Sequence, residues 1–238
     1  MITKDEVKRN YDEVLKRVNS ACERAGRGIE EITIVAVSKL QPPKVIRFGF
    51  EAGIKIFGEN RVQETEEKWA ELADIRKVVS LHLVGHLQRN KAKDAVVLYD
   101  VIESVDNEQV ALELNRRLEI SNRAKPMPVL VEVNTSGEET KYGVNPDVTF
   151  SLLERIRELP NLDIIGLMTV GPLTTDEKRI GMAFSELREL GEKAKEFIKP
   201  NDGVFHLSMG MTDDFEIAIE EGSTMIRVGR AIFGERSS

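Results

Sequence analysis

A lysine directly follows the first apolar run of the sequence, ITIVAVS at residues 32–38. An amine at such a position is costly to bury without a partner, and one chemical use for it is a covalent imine between Lys39 and a carbonyl ligand. The alternative is a solvated lysine at the junction of a strand and a loop. Taken alone, this feature favours the solvated lysine.

Two later segments carry small and hydroxyl residues that could bind an anion. HLSMGMTDD at residues 206–214 contains Ser208 and Gly210, and RVGRAIFG at residues 227–234 contains Gly229. A serine hydroxyl donates a hydrogen bond, and glycine lets backbone N–H groups approach a phosphate closely. Ordinary turns that contain glycine are the alternative, and the presence of both segments favours phosphate.

Arg227 lies inside the last apolar run, at residues 224–228. A buried arginine keeps its charge and needs hydrogen-bond acceptors. A structural ion pair would satisfy it, and so would a ligand acceptor such as a ring nitrogen. Both interpretations remain open on the sequence.

Two histidines have the spacing of zinc ligands on a helix, because His82 and His86 are four residues apart. The segment between them reads as the end of a strand followed by Gly85, so the two side chains would not share a helical face. No third Cys, His or Asp lies at a suggestive spacing. We therefore predict no metal site.

Eight short apolar runs alternate with longer amphipathic segments along the chain. Runs that are almost continuously apolar are typical of strands covered on both faces. We predict strands at residues 32–38, 54–57, 79–84, 99–103, 128–133, 163–168, 203–207 and 224–228. Helix patterns fall at residues 42–52, 60–73, 88–95, 107–121, 146–158, 176–198 and 213–221, with an extra helix at about residues 4–25.

Alternating strands and helices predict an α/β protein with a parallel sheet, and eight repeats within 238 residues favour closure. We expect a single (β/α)8 TIM barrel, with an extra N-terminal helix, that forms one domain over residues 1–238. The sequence contains no GxGxxG and no GxxxxGK[ST] motif, which disfavours dinucleotide and P-loop sites. In such barrels the functional residues lie at the C-terminal ends of the strands.

Composition and charge restrict the class of protein. The net charge is −7, so the chain as a whole is not attracted to nucleic acid or to anionic membrane. No apolar run approaches the roughly 20 residues that a membrane helix needs, and the charged N-terminal segment is not a secretory signal. The single cysteine, Cys22, cannot form an internal disulfide. We expect a cytoplasmic protein.

Several motifs, in one order along nearly the whole chain, resemble the pyridoxal phosphate homeostasis protein family. The motifs are VAVSK around Lys39, FGENRVQE (57–64), HLVGHLQRNK (82–91), EVNTSGEETKYG (132–143), GLMT (166–169), LSMGMTDD (207–214) and GSTMIRVGRAIFG (222–234). The resemblance implies an alanine racemase-like barrel with no second β domain. It also implies pyridoxal 5'-phosphate (PLP) as the cofactor.

The resemblance assigns roles to individual residues. Lys39 would form a Schiff base with PLP, and Arg227 would face the pyridine nitrogen. Asn60 and Met168 would lie near the ring. The residues implied around the phosphate are Ser208, Gly210, Gly229 and Arg230, the last two through their backbone N–H groups.

Three functions compete: a PLP-binding carrier or regulator in intracellular PLP (vitamin B6) homeostasis, a PLP-dependent amino-acid racemase of low activity, and a cofactor-free Schiff-base aldolase. An arginine at the pyridine nitrogen would leave that nitrogen unprotonated, which weakens carbanion stabilisation. Racemisation also needs a second acid or base, and we interpret Tyr142 as a solvated loop residue. The sequence therefore favours the carrier, with little or no turnover.

The partners expected from this interpretation are PLP itself and PLP-dependent apo-enzymes. Arg89 and Lys91 form a small basic patch. We hypothesise that such a partner docks there, and the alternative is that both side chains are simply solvated at the surface. Loss of a racemase-type second domain would remove its dimer contact, so we expect a monomer.

Overall fold

The computed structural model describes residues 2–121 and 123–234. Its strands are β1 (Thr33–Val37), β2 (Ile56–Glu59), β3 (Ser80–Leu83), β4 (Val101–Val105), β5 (Met127–Glu132), β6 (Leu162–Met168), β7 (His206–Ser208) and β8 (Met225–Val228). These strands pair in parallel and in chain order, and β8 returns to pair with β1. The predicted closed (β/α)8 barrel is confirmed, and every predicted strand overlaps an observed one.

Helices follow the strands and cover the outside of the barrel. They are α1 (Lys4–Ala25), α2 (Pro43–Glu51), α3 (Val62–Ala70), α4 (Ala73–Arg76), α5 (Ala92–Leu98), α6 (Glu108–Ser121), α7 (Thr149–Arg157), α8 (Glu177–Ala194), α9 (Phe215–Glu220) and α10 (Arg230–Phe233). Short 3-10 helices lie at Ile29–Glu31, Arg89–Lys91 and Pro146–Val148. The single helix predicted at residues 60–73 is two helices, because Leu72 between them has a non-helical φ of −114° and ψ of 26°.

The extra N-terminal helix, α1, is fixed at both ends by local chemistry. Thr3 Oγ1 accepts a hydrogen bond from the Glu6 N–H at 3.3 Å, and the Glu6 carboxylate accepts one from the Thr3 N–H at 2.8 Å. The helix ends at Gly26, whose φ of 66° suits glycine. Its buried face includes Val14 and Val18 and packs against α9 and α10, which flank the last strand.

Barrel closure brings the two ends of the chain together. Thr33 lies in register with Met225, and Ala36 with Val228, so the C-terminal ends of β1 and β8 are neighbours. The loop that carries Lys39 therefore lies beside the segment that follows β8. The fold thus places the first and last motifs of the sequence at one end of the barrel.

The seventh strand is shorter and later than predicted. The prediction covered residues 203–207, whereas β7 begins at His206. Gly203 adopts a φ of 77° and its N–H donates to the Pro200 carbonyl at 3.0 Å, so this residue completes a turn before the strand begins.

Candidate functional site

A cavity of about 460 Å³ opens at the C-terminal ends of the strands. Segments after β1, β2, β3, β6, β7 and β8, together with the end of β5, form its wall. The polar residues of the wall include Lys39, Gln41, Asn60, His86, Glu132, Tyr142, Thr212, Asp213, Arg227 and Arg230. Of the residues predicted for the site, Lys39, Asn60, Arg227, Gly229 and Arg230 meet at this cavity.

A buried ionic cluster holds the residues on either side of Lys39. Ser38 Oγ donates to Glu59 at 2.6 Å, and Lys68 Nζ donates to the Ser38 carbonyl at 3.0 Å and to Glu59 at 2.8 Å. On the other side, the Leu40 N–H donates to Glu64 at 2.6 Å, and Glu64 also accepts from Lys68 at 3.1 Å. We call Ser38, Glu59, Glu64 and Lys68 the lysine-loop cluster.

The backbone at Leu40 has an unusual conformation that this cluster supports. Its φ is +60°, a left-handed value that non-glycine residues seldom adopt. The side chain of Leu40 is exposed, so packing does not impose this conformation. The hydrogen bond from its N–H to Glu64 compensates for the local strain. The lysine-loop cluster therefore fixes the path of the chain through Lys39.

Arg227 belongs to a hydrogen-bonded chain that runs through the barrel interior. Its Nη1 donates to Ser208 Oγ at 2.6 Å, and its Nη2 donates to the Thr169 carbonyl at 2.6 Å. Ser208 in turn donates to Glu103 at 2.6 Å, and the other oxygen of Glu103 lies 2.7 Å from His82 Nδ1. We call these five residues the inner chain.

The charges of the inner chain stabilise one another. Burial opposes ionisation of Glu103, but its contacts with His82, Arg227 and Ser208 outweigh burial and lower its pKa. Burial lowers the pKa of Arg227, while Glu103, Glu132 and Asp214 oppose that shift. A guanidinium has five N–H groups and is not deprotonated in proteins, so Arg227 stays charged and keeps N–H groups beyond the two used here.

Three residues predicted for the site do not reach the cavity wall in the described structure. Ser208 is fully buried and its hydroxyl belongs to the inner chain. Met168 is also fully buried and packs in a cluster with Val101, Leu130 and Ile165. Gly210 packs closely against α9.

The glycine at 210 is required by helix packing. Its φ is 95°, and a Cβ there would lie 2.5 Å from the Cβ of Ala218 and 2.9 Å from the Cα of Phe215. From this loop, Thr212 lines the cavity. Its Oγ1 also accepts from the Ala231 N–H at 3.4 Å, which links the loops after β7 and β8.

The segment after β8 packs closely against β1 and lines the cavity. A Cβ at Gly229 would lie 3.1 Å from the Val37 carbonyl oxygen, so a larger residue would press on β1. The side chain of Arg230 pairs with Asp213 across the two loops. The backbone of Gly229 and Arg230 thus lies at the cavity wall beside Thr212.

Sequence reasoning missed Glu132, the last residue of β5. Its side chain is 5% exposed and lines the cavity, and its Oε2 atom has no hydrogen-bond partner among the described residues. Burial raises its pKa to about 7, helped by Asp106 and opposed by Arg227. The signal in the sequence was a single acidic residue inside the apolar run VLVEV.

Two aromatic rings from distant loops stack at the cavity. The rings of His86 and Tyr142 are 3.8 Å apart between centroids and inclined by 8°. His86 Nδ1 also lies 3.2 Å from Asp106 Oδ2. Tyr142 is 58% exposed, as expected for a solvated loop residue, and it also lines the cavity and contacts His86.

Over residues 2–121 and 123–234, no group of three or more His, Cys, Asp or Glu side chains is arranged to hold a metal ion. None of the helices in this part of the chain is long and apolar enough to span a bilayer.

Comparisons with known proteins support the motifs. The alanine racemase N-terminal domain family matches residues 3–237. The pyridoxal phosphate homeostasis protein of Aquifex aeolicus is 43% identical over 223 residues, covering 94% of this chain and 95% of that protein.

Two solved structures share the fold over nearly the full chain. A protein of Bifidobacterium adolescentis described as unknown has a TM-score of 0.91 and 35% identity, covering 98% of this chain and 97% of its own. PipY of Synechococcus elongatus, with PLP bound, has a TM-score of 0.78 and 32% identity, covering 93% of this chain and 100% of its own. The chain therefore belongs to the pyridoxal phosphate homeostasis protein family, within the alanine racemase N-terminal domain family.

Proposed function

We propose that this protein binds PLP and acts as a carrier or regulator in PLP homeostasis, with little or no turnover of its own. The observation that carries the proposal is a cavity that combines Lys39, a buried Arg227 and the open backbone at Gly229. The name of the Aquifex aeolicus relative and the PLP in PipY support the same conclusion.

The residues present fit PLP as a ligand. PLP carries an aldehyde, a phosphate and an aromatic ring with one nitrogen, and the cavity offers an amine, polar backbone and a guanidinium. The orphaned Glu132 oxygen is a feature that a bound ligand or a proton on the carboxyl would explain. Lys39, Asn60, Arg227, Gly229 and Arg230 would hold PLP, with Thr212 taking the place of Ser208 at the phosphate.

Each group of this chain has a binding task in the proposal. When bound, PLP supplies an aldehyde that an amine can hold covalently as a Schiff base. The lysine-loop cluster orients Lys39 toward that aldehyde. Thr212 and the backbone N–H groups at Gly229 and Arg230 donate hydrogen bonds to the phosphate. Ser208, Met168 and Gly210 support the wall from behind.

Arg227 limits the chemistry that the site can perform. Because it is a permanent cation and only a donor, its free N–H groups stabilise an unprotonated ring nitrogen. An unprotonated ring withdraws electrons weakly, so proton abstraction from a bound amine is slow. Holding the cofactor without consuming an amino acid is the behaviour that a carrier needs.

The decisive experiment is a spectrum of the protein purified after incubation with PLP. We expect a visible imine band that borohydride bleaches, and mass spectrometry should then locate the reduced adduct on Lys39. Lys39→Ala should lose the band, while Lys93→Ala, on an exposed position of α5, should keep it. A band that persists in Lys39→Ala, or a bare Lys39 after incubation and reduction, would refute the assignment.

A low racemase activity is the second candidate, favoured by the placement of His86 beside Asp106 at the cavity wall. Racemisation needs a second acid or base besides Lys39, and this pair and Tyr142 supply titratable groups that could serve. Measuring the interconversion of D- and L-alanine separates the two functions. If the wild-type protein interconverts the two forms rapidly and His86→Asn abolishes this activity, the racemase function would be favoured over the carrier function.

Delivery of PLP to apo-enzymes is part of the proposed role. Arg89 and Lys91 form a short 3-10 helix before α5, and Arg89 is exposed. If this patch docks a partner, the Arg89→Glu, Lys91→Glu variant should transfer PLP to an apo-enzyme more slowly while its own imine band is unchanged. Equal transfer rates would exclude this patch.

A further inference from the structure

Glu132 has a buried, unsatisfied carboxyl oxygen, and its side chain lines the cavity. The residue ends β5, its side chain is buried, and it lines the cavity with Lys39 and Arg227. Its Oε2 atom is buried and receives no hydrogen bond from the described residues. Buried polar atoms are nearly always paired, so the unpaired oxygen of a carboxyl that lines a cavity is explained if the carboxyl carries a proton or if a bound ligand rearranges its contacts.

The charges around Glu132 favour its neutral form. Asp106, which follows β4 on one side of β5, repels a carboxylate. From β6, the strand on the other side, Met168 lies opposite Glu132 and carries no charge. Arg227 attracts a carboxylate, but two of its nitrogens donate to Ser208 and Thr169. The other charged or titratable groups of the wall are Lys39, His86, Tyr142, Asp213 and Arg230.

Burial and the repulsion from Asp106 have a measurable result. The pKa of Glu132 is raised to about 7, so roughly half of these carboxyls are neutral at neutral pH. A neutral carboxylic acid can donate a hydrogen bond, whereas a carboxylate can only accept one. The protonation state of Glu132 therefore decides which ligand atoms it can face.

We propose that Glu132 is a ligand-binding residue that donates a hydrogen bond to the bound anionic ligand as a neutral carboxylic acid, so that ligand binding takes up a proton. This inference rests on the proposed function for the identity of the ligand. PLP brings a phosphate dianion and a ring oxygen into the cavity, and a second buried negative charge beside them would be unfavourable.

The sign of the pH dependence follows from linkage. An anionic ligand raises the pKa of Glu132 above its value of about 7 in the free protein. The free protein then binds fewer protons than the complex between the two pKa values. Affinity is full below the lower pKa and falls as pH rises toward the higher one, by up to about tenfold per pH unit.

The test uses pyridoxine 5'-phosphate, which keeps the ring and phosphate of PLP but has no aldehyde and forms no imine. Calorimetry at about pH 7.5 to 8.5, in two buffers with different heats of ionisation, counts the protons taken up. The wild-type protein and the control Glu154→Gln, on the exposed face of α7, should take up a fraction of a proton approaching one. Glu132→Gln should bind at least as tightly, with no such uptake and a nearly flat pH profile in this range.

Equal proton uptake in the wild-type protein and in Glu132→Gln would overturn the proposal. Infrared difference spectra of the wild-type protein provide a second measurement that does not depend on the variant folding. Binding at about pH 8 should increase the band of a protonated carboxylic acid, and no increase would also refute the role. Imine formation at Lys39 without proton uptake would contradict this inference alone, whereas absence of both would contradict the proposed function as well.

Discussion

Removal of the Lys68 charge tests whether the lysine-loop cluster supports the barrel as we describe it. Lys68 is 7% exposed and Glu59 is fully buried, so Lys68→Met leaves a carboxylate in the interior without its cation. Breaking a buried pair in this way costs about 3–5 kcal/mol. The substitution also removes the donor to the Ser38 carbonyl. With a urea dependence of about 2–3 kcal/mol per M, the unfolding midpoint should fall by about 1–2 M.

Two further variants make this measurement specific. The double variant Glu59→Gln, Lys68→Met removes both charges, so it should recover part of the lost stability. Arg47→Met breaks the exposed Arg47–Asp74 pair and should leave the midpoint nearly unchanged. A Lys68→Met protein as stable as Arg47→Met, or a double variant no more stable than Lys68→Met, would refute the reasoning.

Three other outcomes are expected. Thr212→Val should weaken binding of pyridoxine 5'-phosphate by about 10- to 100-fold through loss of one charge-assisted hydrogen bond. Thr212→Ser should keep the wild-type affinity. Equal affinities of the wild-type protein and Thr212→Val in calorimetry would exclude a role for this hydroxyl in phosphate binding. Gly210→Ala should lower the free energy of unfolding, measured in urea, by about 2–5 kcal/mol because of its positive φ and the clash with α9. Gly203→Ala should cost less, because Gly203 has a positive φ but open space around it. Burial lowers the pKa of His206, so the unfolded chain binds this proton at a higher pH than the folded protein does. Stability should therefore fall as pH drops below about 6.5. His206→Gln should reduce that fall between about pH 7.5 and 5.5.

The sequence was sufficient for the barrel because its strands are covered on both faces. Such strands read as continuous apolar runs, and eight of them separated by helices leave few arrangements other than closure. The split between α3 and α4 was not predictable in this way. The segment keeps a helical spacing of apolar residues, while a single backbone conformation at Leu72 interrupts it.

Part of the candidate site follows from the sequence, and the rest depends on how side chains are placed in three dimensions. Lys39 and Gly229 follow strands directly, so their position at the barrel end follows from topology alone. Ser208 and Thr212 are both hydroxyl residues in one segment, and only the structure shows that Thr212 lines the cavity while the Ser208 hydroxyl belongs to the inner chain. Glu132 was overlooked because it lies inside an apolar run, where a charged residue is usually read as part of the strand.

The stack of His86 on Tyr142 was beyond reach for a different reason. The two residues lie on the loops after β3 and β5, far apart in sequence. Neither loop has a periodic pattern that would orient a side chain. Only the three-dimensional course of the loop around Tyr142 brings the rings together.

Barrel closure has a consequence for when the protein can first acquire its ligand. The amine of Lys39 lies in the first β-to-α connection, whereas Arg227 and Gly229 belong to β8, the last strand of the barrel, and to the turn after it. A ribosome-bound chain that lacks β8 therefore has the amine but not the guanidinium or the backbone at Gly229. Under the proposed function, such a nascent chain should not retain PLP.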